Sequence, residues 1–141
     1  MKSKKLSILL AALALVISTL ACAAGELSLE NPRMSKDDSG DQAVTSFSSS
    51  DVFYVVADLN NAPAGTMVEA KWYVVNVPGY DSGLVETNAN NVLSVSESEA
   101  PFTGTLSFSL TSLDGGWPAG GYRVELYLNN VLTHTVDFSV Q

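Results

Sequence analysis

The chain has 141 residues, of which 46% are hydrophobic, and it carries fifteen acidic residues against seven basic ones. A surface with this excess of negative charge repels phosphate backbones, so nucleic acid is excluded as a partner. The only cysteine is Cys22, which allows no disulfide within the chain, so any domain must be held by its hydrophobic core alone.

The first predicted element is an N-terminal export segment. Three lysines precede an apolar run at residues 6–21, an order that is typical of a signal peptide. We therefore predict that residues 1–21 are a signal peptide and that the rest of the chain works outside the cytoplasm. All fifteen acidic residues but only four basic ones follow Cys22, which gives the exported part a formal net charge of −11. Such a surface also repels anionic headgroups, so membrane contact is expected through a lipid.

Cys22 closes the apolar run and resembles the lipidation site of bacterial lipoproteins. In that family the signal is removed and the new N-terminal cysteine carries acyl chains, which implies that Cys22 is lipidated and anchors the chain to a membrane. Two alternatives remain. The small residues Ala21 and Ala23 around it also fit the site of ordinary signal peptidase, which would release a secreted protein. An uncleaved anchor is the third possibility, although a bilayer span needs about 20 apolar residues.

Residues 22–43 are predicted to be a flexible, lipid-anchored tether. They are rich in small and polar residues, include Pro32 and Gly40, and keep no apolar period of 2 or 3.6. A flexible chain of this length has a typical end-to-end distance of about 25 Å. We therefore expect the tether to hold a domain clear of the lipid surface.

Residues 44–141 are predicted to form one all-β domain. Apolar side chains alternate with polar ones, or fill both faces, in runs at residues 52–57, 67–75, 105–110, 122–128 and 134–140. Turn-forming Asn, Pro and Gly residues separate these runs, as in an antiparallel β-sandwich. The large inward-facing side chains predicted to build the core are Trp72, Phe108, Tyr122 and Phe138.

The last two runs are predicted to form a hairpin with a three-residue loop, Asn129 to Val131. A two-residue turn at Asn129 and Asn130 would place the core face of one strand against the polar face of the other, because a shift of one residue inverts every side chain. The three-residue loop instead pairs Leu128 with Leu132, Val124 with Val136 and Tyr122 with Phe138.

The segment at residues 117–126 resembles the beginning of strand F in immunoglobulin-like and fibronectin-type sandwiches, where a Pro/Gly corner precedes a tyrosine and an alternating strand. This resemblance implies an immunoglobulin-like antiparallel β-sandwich of about seven to eight strands over residues 44–141. It also implies that the Tyr122 hydroxyl bonds to the backbone of the corner, and that Trp72 matches the core tryptophan of strand C. The paired core cysteines of antibody domains are absent.

The sequence contains no arrangement typical of catalysis or metal binding, so no catalytic residue, metal or cofactor is predicted. His134 is the only histidine and lies on a core-facing run, so it is predicted to be half-buried and structural. One histidine without a cysteine pair does not make a zinc site. The acidic clusters at residues 37–41 and 81–83 lack EF-hand spacing and are interpreted as linker and turn.

Two aromatic residues in loops are the candidate contacts for a ligand or partner. Tyr80 follows the strand of Trp72, and Trp117 precedes the strand of Tyr122, so both loops are expected at the end of the sandwich opposite the tethered N-terminus. Aromatic side chains at such a rim can stack on a sugar or anchor a protein partner. The alternative is that Trp117 folds back and caps the core.

These observations predict a non-enzymatic, extracytoplasmic lipoprotein of the cell envelope. Its sandwich would be a tethered binding module for an unknown protein or glycan, with membrane contact through the N-terminal lipid. The alternatives are a structural accessory subunit of an envelope complex and a secreted domain without the lipid anchor.

Overall fold

A computed structural model describes residues 25–85, 91–112 and 114–141, so the predicted signal peptide and Cys22 lie outside the described residues. The described ranges form β-strands and no helix, which confirms the all-β prediction. No helix in these ranges is therefore available to span a membrane. The strands are β1 (Ser28–Ser35), β2 (Ser46–Phe47), β3 (Phe53–Ala62), β4 (Met67–Asn76), β5 (Gly83–Leu84), β6 (Val92–Ser94), β7 (Phe102–Leu110), β8 (Gly120–Leu128) and β9 (Val131–Val140).

The strands form two sheets that share one hydrophobic core, which confirms the β-sandwich. The smaller sheet has the order β1-β3-β7, and the larger has the order β2-β9-β8-β4-β5 with β6 also paired to β4. Every pair is antiparallel except β2 with β9. Eight of the strands described, β2 to β9, lie within residues 44–141, which agrees with the predicted seven to eight, and the additional strand β1 comes from the region assigned to the tether.

Alternation of side chains in the sequence predicts the core well. The four predicted core residues Trp72, Phe108, Tyr122 and Phe138 are all buried. The central strand of the smaller sheet is β3, and its adjacent residues Val55 and Val56 are fully buried although they point to opposite faces. Its apolar sequence on both faces therefore reflects burial on both faces, as predicted.

The prediction of a flexible tether is wrong for residues 25–43, the part of it that the structure describes. Residues 28–35 form β1, which pairs with β3 and buries Leu29 and Met34 in the core. Asn31, with a positive φ of 52°, and Pro32 form a bulge, because two residues of β1 oppose one of β3 there. The bulge places Leu29 and Met34, an odd number of residues apart, on the same face, and so it removes the period of 2 that a strand normally shows.

A tight loop after β1 carries the chain from the smaller sheet to the larger one. Oδ1 of Asp37 accepts hydrogen bonds from the Ser35 and Ser39 hydroxyls and from the Gly40 and Asp41 amides, and its Oδ2 accepts one from the Gln42 amide. These bonds outweigh burial, which acts to raise the pKa, and lower the pKa of Asp37. The acidic stretch interpreted as a linker is therefore an ordered turn closed by one carboxylate.

The prediction of a three-residue loop between β8 and β9 is wrong, whereas the predicted pairing of core residues farther along the two strands is confirmed. The turn has two residues, Asn129 and Asn130, both with positive φ, so Leu128 pairs with Val131. The extra residue lies in β9 instead, between Leu132 and His134, where it forms a bulge that restores the core register. Farther along the two strands, Val124 pairs with Val136 and Tyr122 with Phe138, as predicted.

The sandwich has two ends, which we call the N-terminal end and the aromatic end. At the N-terminal end lie Gly25, which packs against Asn61, and the turn of the β8–β9 hairpin. At the aromatic end lie Phe53 and Trp117, whose rings stack. Phe53 and Asn61 are separated by most of β3, about 25 Å at 3.3 Å per residue.

Candidate functional site

The aromatic end is built on a cluster of interlocking rings. Phe53 of the smaller sheet and Phe138 of the larger one meet with ring centroids 5.0 Å apart, and each contacts several further rings. The cluster members are Phe47, Phe53, Trp72, Trp117, Tyr122 and Phe138. Because these rings come from both sheets and from the loop before β8, the cluster fixes the position of that loop.

Trp117 caps this cluster instead of standing in solvent. Its side chain is 9% exposed and stacks on Phe53 with centroids 5.1 Å apart, and its backbone amide donates to the Ser49 carbonyl at 2.7 Å. The prediction of Trp117 as an exposed rim aromatic is therefore wrong, because the space beside Phe53 takes up the indole. The alternative, that Trp117 folds back onto the core, is confirmed.

The tyrosine corner implied by the family resemblance is present. The Tyr122 hydroxyl donates to the Pro118 carbonyl at 2.7 Å, across the turn before β8. Burial raises the pKa of Tyr122, with a smaller contribution from the nearby Tyr80. The Tyr122 hydroxyl therefore stays protonated and holds the loop that carries Trp117.

Tyr80 is exposed and lies in the turn after β4, as predicted. Its side chain is 61% exposed, while its backbone amide donates to the carbonyl of the buried Val77 at 3.1 Å. This turn packs closely on the start of β8, since a Cβ at Gly120 would lie 2.6 Å from the Asn76 carbonyl oxygen. The end of β4 and the start of β8 thus meet, which confirms that the loops of Tyr80 and Trp117 share one end of the sandwich, opposite the point at which β1 begins.

Tyr80 and Trp117 line one cavity of about 300 Å³. The other lining residues are Val74, Val85, Asp114, Gly116, Pro118 and Tyr122. Most of this lining is aromatic or aliphatic, and Asp114 is the only charged residue among the described residues that line the cavity. A cavity of this size and composition suits a small apolar group brought by a ligand or a partner.

The indole N–H of Trp117 is buried and has no hydrogen-bond acceptor. It is the only buried side-chain polar atom of the described residues in this condition. A buried donor without an acceptor costs about 1–3 kcal/mol, so native proteins leave few of them. A ligand group that supplied an acceptor here would remove this cost on binding.

The rest of the described chain offers no arrangement for acid–base or metal chemistry. His134 is half-buried, as predicted, and its Nε2 lies 2.5 Å from the Leu29 carbonyl oxygen, so the ring joins β9 to β1. No group of three metal-ligating side chains occurs within the described ranges. The geometry at the aromatic end can therefore bind a group, but it supplies no nucleophile with a neighbouring base.

Sequence patterns did not reveal the walls of the cavity. Val74 belongs to the predicted β run at residues 67–75, and Val85 and Pro118 carry no signal beyond their apolar character. Their convergence depends on how the two loops pack, which no period along the chain encodes. Only the Pro and Gly residues before Tyr122 indicated from the sequence that the chain turns sharply at Pro118, beside the cavity.

No protein-family model matches the chain, and no curated protein matches it. Among solved structures it is similar to the Pseudomonas fluorescens alkylpurine DNA glycosylase AlkC bound to DNA containing an abasic site analog, with 10% identity and a TM-score of 0.49 over 83% of this chain. That match spans 31% of the glycosylase chain. A Niemann-Pick type C2 protein from Japanese carpenter ant matches with 10% identity and a TM-score of 0.44, over 82% of this chain and 92% of its own.

Proposed function

We propose that the protein is a non-enzymatic binding module of the cell envelope, exported and anchored by a lipid on Cys22. It receives a protein or glycan at the aromatic end of its sandwich. The cationic and apolar N-terminal segment supports export, and the position of Cys22 after that segment supports the anchor. The Asp114 carboxylate in the cavity disfavours an anionic ligand group, so the bound group is neutral or cationic.

The observation that carries this proposal is the exposed Tyr80 beside a cavity that Trp117 also lines, together with the indole N–H of Trp117, which has no acceptor. A ring that is 61% exposed contributes little to folding, whereas aromatic side chains at the edge of a pocket are frequent anchors of a bound group. A ligand whose carbonyl or hydroxyl oxygen reached the unpaired indole N–H of Trp117 would accept a hydrogen bond from it, so the N–H favours such a ligand. The ring cluster holds Trp117 in place, so this side chain gains no order on binding.

The strand order supports the finer assignment of an immunoglobulin-like sandwich. The N-terminal segment divides into β1, which pairs with β3, and β2, which pairs in parallel with β9 of the opposite sheet. The Tyr122 corner precedes β8 at the loop end that carries the cavity. In sandwiches of this kind the loops at one end commonly bind the ligand, on a scaffold that the sheets hold rigid.

Photocrosslinking in the native cells tests the proposed site. A photoreactive phenylalanine derivative replaces Tyr80 in the full-length tagged chain, and the captured material is analysed for both protein and glycan. The matched control carries the same group at Leu84, which is 57% exposed on β5 of the larger sheet. Crosslinks specific to position 80 are expected.

Two substitutions then separate binding from folding. Tyr80→Ala should weaken capture by about thirtyfold, since loss of an aromatic anchor commonly costs about 2 kcal/mol. Trp117→Phe removes the N–H and keeps a ring on Phe53, so it should weaken capture with a small change in melting temperature. Equal capture by the parent, Tyr80→Ala and Trp117→Phe would contradict a ligand site at the aromatic end.

A structural accessory subunit is the second candidate. The edge of the larger sheet beyond β4 carries the exposed side chains of Leu84, Val92 and Leu93 on two very short strands. Exposed apolar side chains along such an edge favour constitutive docking. Crosslinks from position 84 to one stoichiometric partner, with none from position 80, would favour this function.

A further inference from the structure

We infer that the tip of the β8–β9 hairpin, Val131 and Leu132, enters the surface of the membrane that holds the N-terminus. This inference rests on the anchoring part of the proposed function. Val131 is 65% exposed and Leu132 is 49% exposed, and the two neighbours stand directly after the turn. Single exposed apolar residues are common on soluble proteins, whereas Val131 and Leu132 make both faces of a rigid hairpin tip apolar.

The hairpin tip and the N-terminal segment project from the same end of the sandwich. His134 of β9 contacts the Leu29 carbonyl of β1, and from this contact both strands run backwards towards the N-terminal end. Val131 lies three residues beyond the contact and Gly25 four, which corresponds to about 10 and 13 Å in extended chain. The Asn61 side chain donates to the Glu26 carbonyl at 3.2 Å and so ties the N-terminal segment to this end.

The chain between the proposed lipid and the sandwich is short. Cys22 precedes Gly25 by three residues, which span at most about 11 Å when fully extended. Gly25 already packs against Asn61 at the end of β3. A lipid on Cys22 therefore holds the N-terminal end against the bilayer, and the 25 Å clearance expected of a long tether is lost.

The hairpin tip and the connection from β3 to β4 form an uncharged part of this end. Residues 62–67, which connect β3 to β4, and residues 129–134 contain no Asp, Glu, Lys or Arg. These two segments touch, since Asn129 and Met67 exchange two hydrogen bonds. The acidic residues described near this end lie outside these two segments: Glu26 precedes β1, Glu69 lies on β4, and Glu97 and Glu99 lie in the connection from β6 to β7. An uncharged apolar point is thus next to the anchor in a chain that is otherwise strongly acidic.

A lipid surface suits this tip better than a second protein does. A stable protein interface buries about 800 Å² on each partner, which two side chains on a turn do not provide. An interfacial lipid contact needs only the apolar tip, and it orients a domain that the lipid anchor already holds at the membrane. The β8–β9 turn already fixes the backbone of Val131 and Leu132, so binding does not have to order them.

Fluorescence of the full-length chain reconstituted in phosphatidylcholine vesicles tests this contact. An environment-sensitive fluorophore is attached at Leu132→Cys, and the matched control is Leu84→Cys, which lies nearer the aromatic end. The parent chain, whose only cysteine is Cys22, reports any label at the anchor itself. Near-ultraviolet circular dichroism confirms that each variant is folded.

We expect the label at position 132 to shift its emission to the blue, to resist aqueous iodide and to be quenched by nitroxide on the acyl chains, and the label at position 84 to show none of these. The same result is expected in nanodiscs that hold one chain each. If position 132 is as open to iodide as position 84 while the chain floats with the vesicles, the inference is overturned and the anchor stands. A chain that does not float with the vesicles overturns both. Protection that disappears in single-chain nanodiscs overturns the inference in favour of a second copy.

Discussion

The two ends of the sandwich are built in different ways. At the aromatic end, rings from both sheets and one loop interlock around Phe53 and Phe138, and only Tyr80 remains exposed. At the N-terminal end, asparagines with positive φ shape the chain at residues 61, 129 and 130, and apolar side chains project from the hairpin. The first end is stabilised by packing of large side chains, whereas the second is shaped by backbone conformation. Truncation of a large side chain should therefore destabilise the aromatic end, whereas a substitution that disfavours positive φ should destabilise the N-terminal end.

The largest expected effect is at the aromatic end. Trp117→Ala removes a buried indole from the ring cluster, and such truncations cost about 3–5 kcal/mol in the free energy of unfolding. Chemical denaturation followed by circular dichroism measures this loss. The control at the other end, Leu132→Ala, should change the free energy of unfolding by less than about 0.5 kcal/mol. Equal denaturation midpoints for the two variants would show that the ends do not differ.

A backbone substitution should have a smaller effect, confined to the N-terminal end. Asn130 has a φ of 66°, a conformation that costs an ordinary side chain about 1–2 kcal/mol. Asn130→Val should lower the free energy of unfolding by about that amount, whereas Asn130→Gly should keep it near the parent value, because glycine adopts positive φ freely. Thermal unfolding distinguishes the two. If the glycine variant were as unstable as the valine variant, contacts of the Asn130 side chain would matter more than its backbone.

The smallest effect is a pH dependence that loosens the aromatic end first. Asp51 accepts from the Ser48 amide and pairs with Lys36 at 3.1 Å, which lowers its pKa, and the Asp37 carboxylate that closes the loop after β1 also has a lowered pKa. The folded chain therefore binds fewer protons at these groups than the unfolded chain does. Their stabilisation is complete above about pH 4 and is lost as the pH falls through the lowered pKa values.

Amide hydrogen exchange across this pH range should show faster opening of residues 36–51 in acid than of the hairpin turn. Asp37→Asn should flatten this dependence, because its amide does not titrate. Glu99→Gln, which removes a carboxylate with a lowered pKa that accepts from Ser96 near the N-terminal end, is the matched control. Simultaneous opening of both regions would instead indicate global unfolding in acid.

The sequence predicts the strands that keep a regular alternation and fails where a bulge interrupts it. The alternation around Trp72, Phe108 and Tyr122 gives the correct inward faces, because side chains on a strand alternate strictly. In β1 the bulge at Asn31 hides this pattern, and the strand was mistaken for a tether. A bulge also explains the wrong hairpin loop. An extra residue in the loop and an extra residue in β9 produce the same pairing of core residues, so the sequence pattern does not distinguish them.

The candidate site was predictable in its location but not in its form. The positions of Tyr80 and Trp117 after β4 and before β8 place both at one end of the sandwich. Whether a loop aromatic points outwards or folds inwards depends on the space beside Phe53, which is set by residues far away in the chain. The cavity and its unpaired indole N–H follow from that packing, so they could not be derived from the sequence alone.

The pairing of the first strand has a mechanical consequence. The described chain begins at the N-terminal end and finishes at the aromatic end, where the amide of the final residue, Gln141, bonds to the Phe47 carbonyl. Under the proposed function, a pull between the lipid anchor and a ligand at the aromatic end would therefore run along the strands. The bonds joining β1 to β3 lie across that line, so tension loads them in shear and they must fail together instead of opening one by one like a zipper. A module connected in this way keeps its fold while the surface that carries it moves.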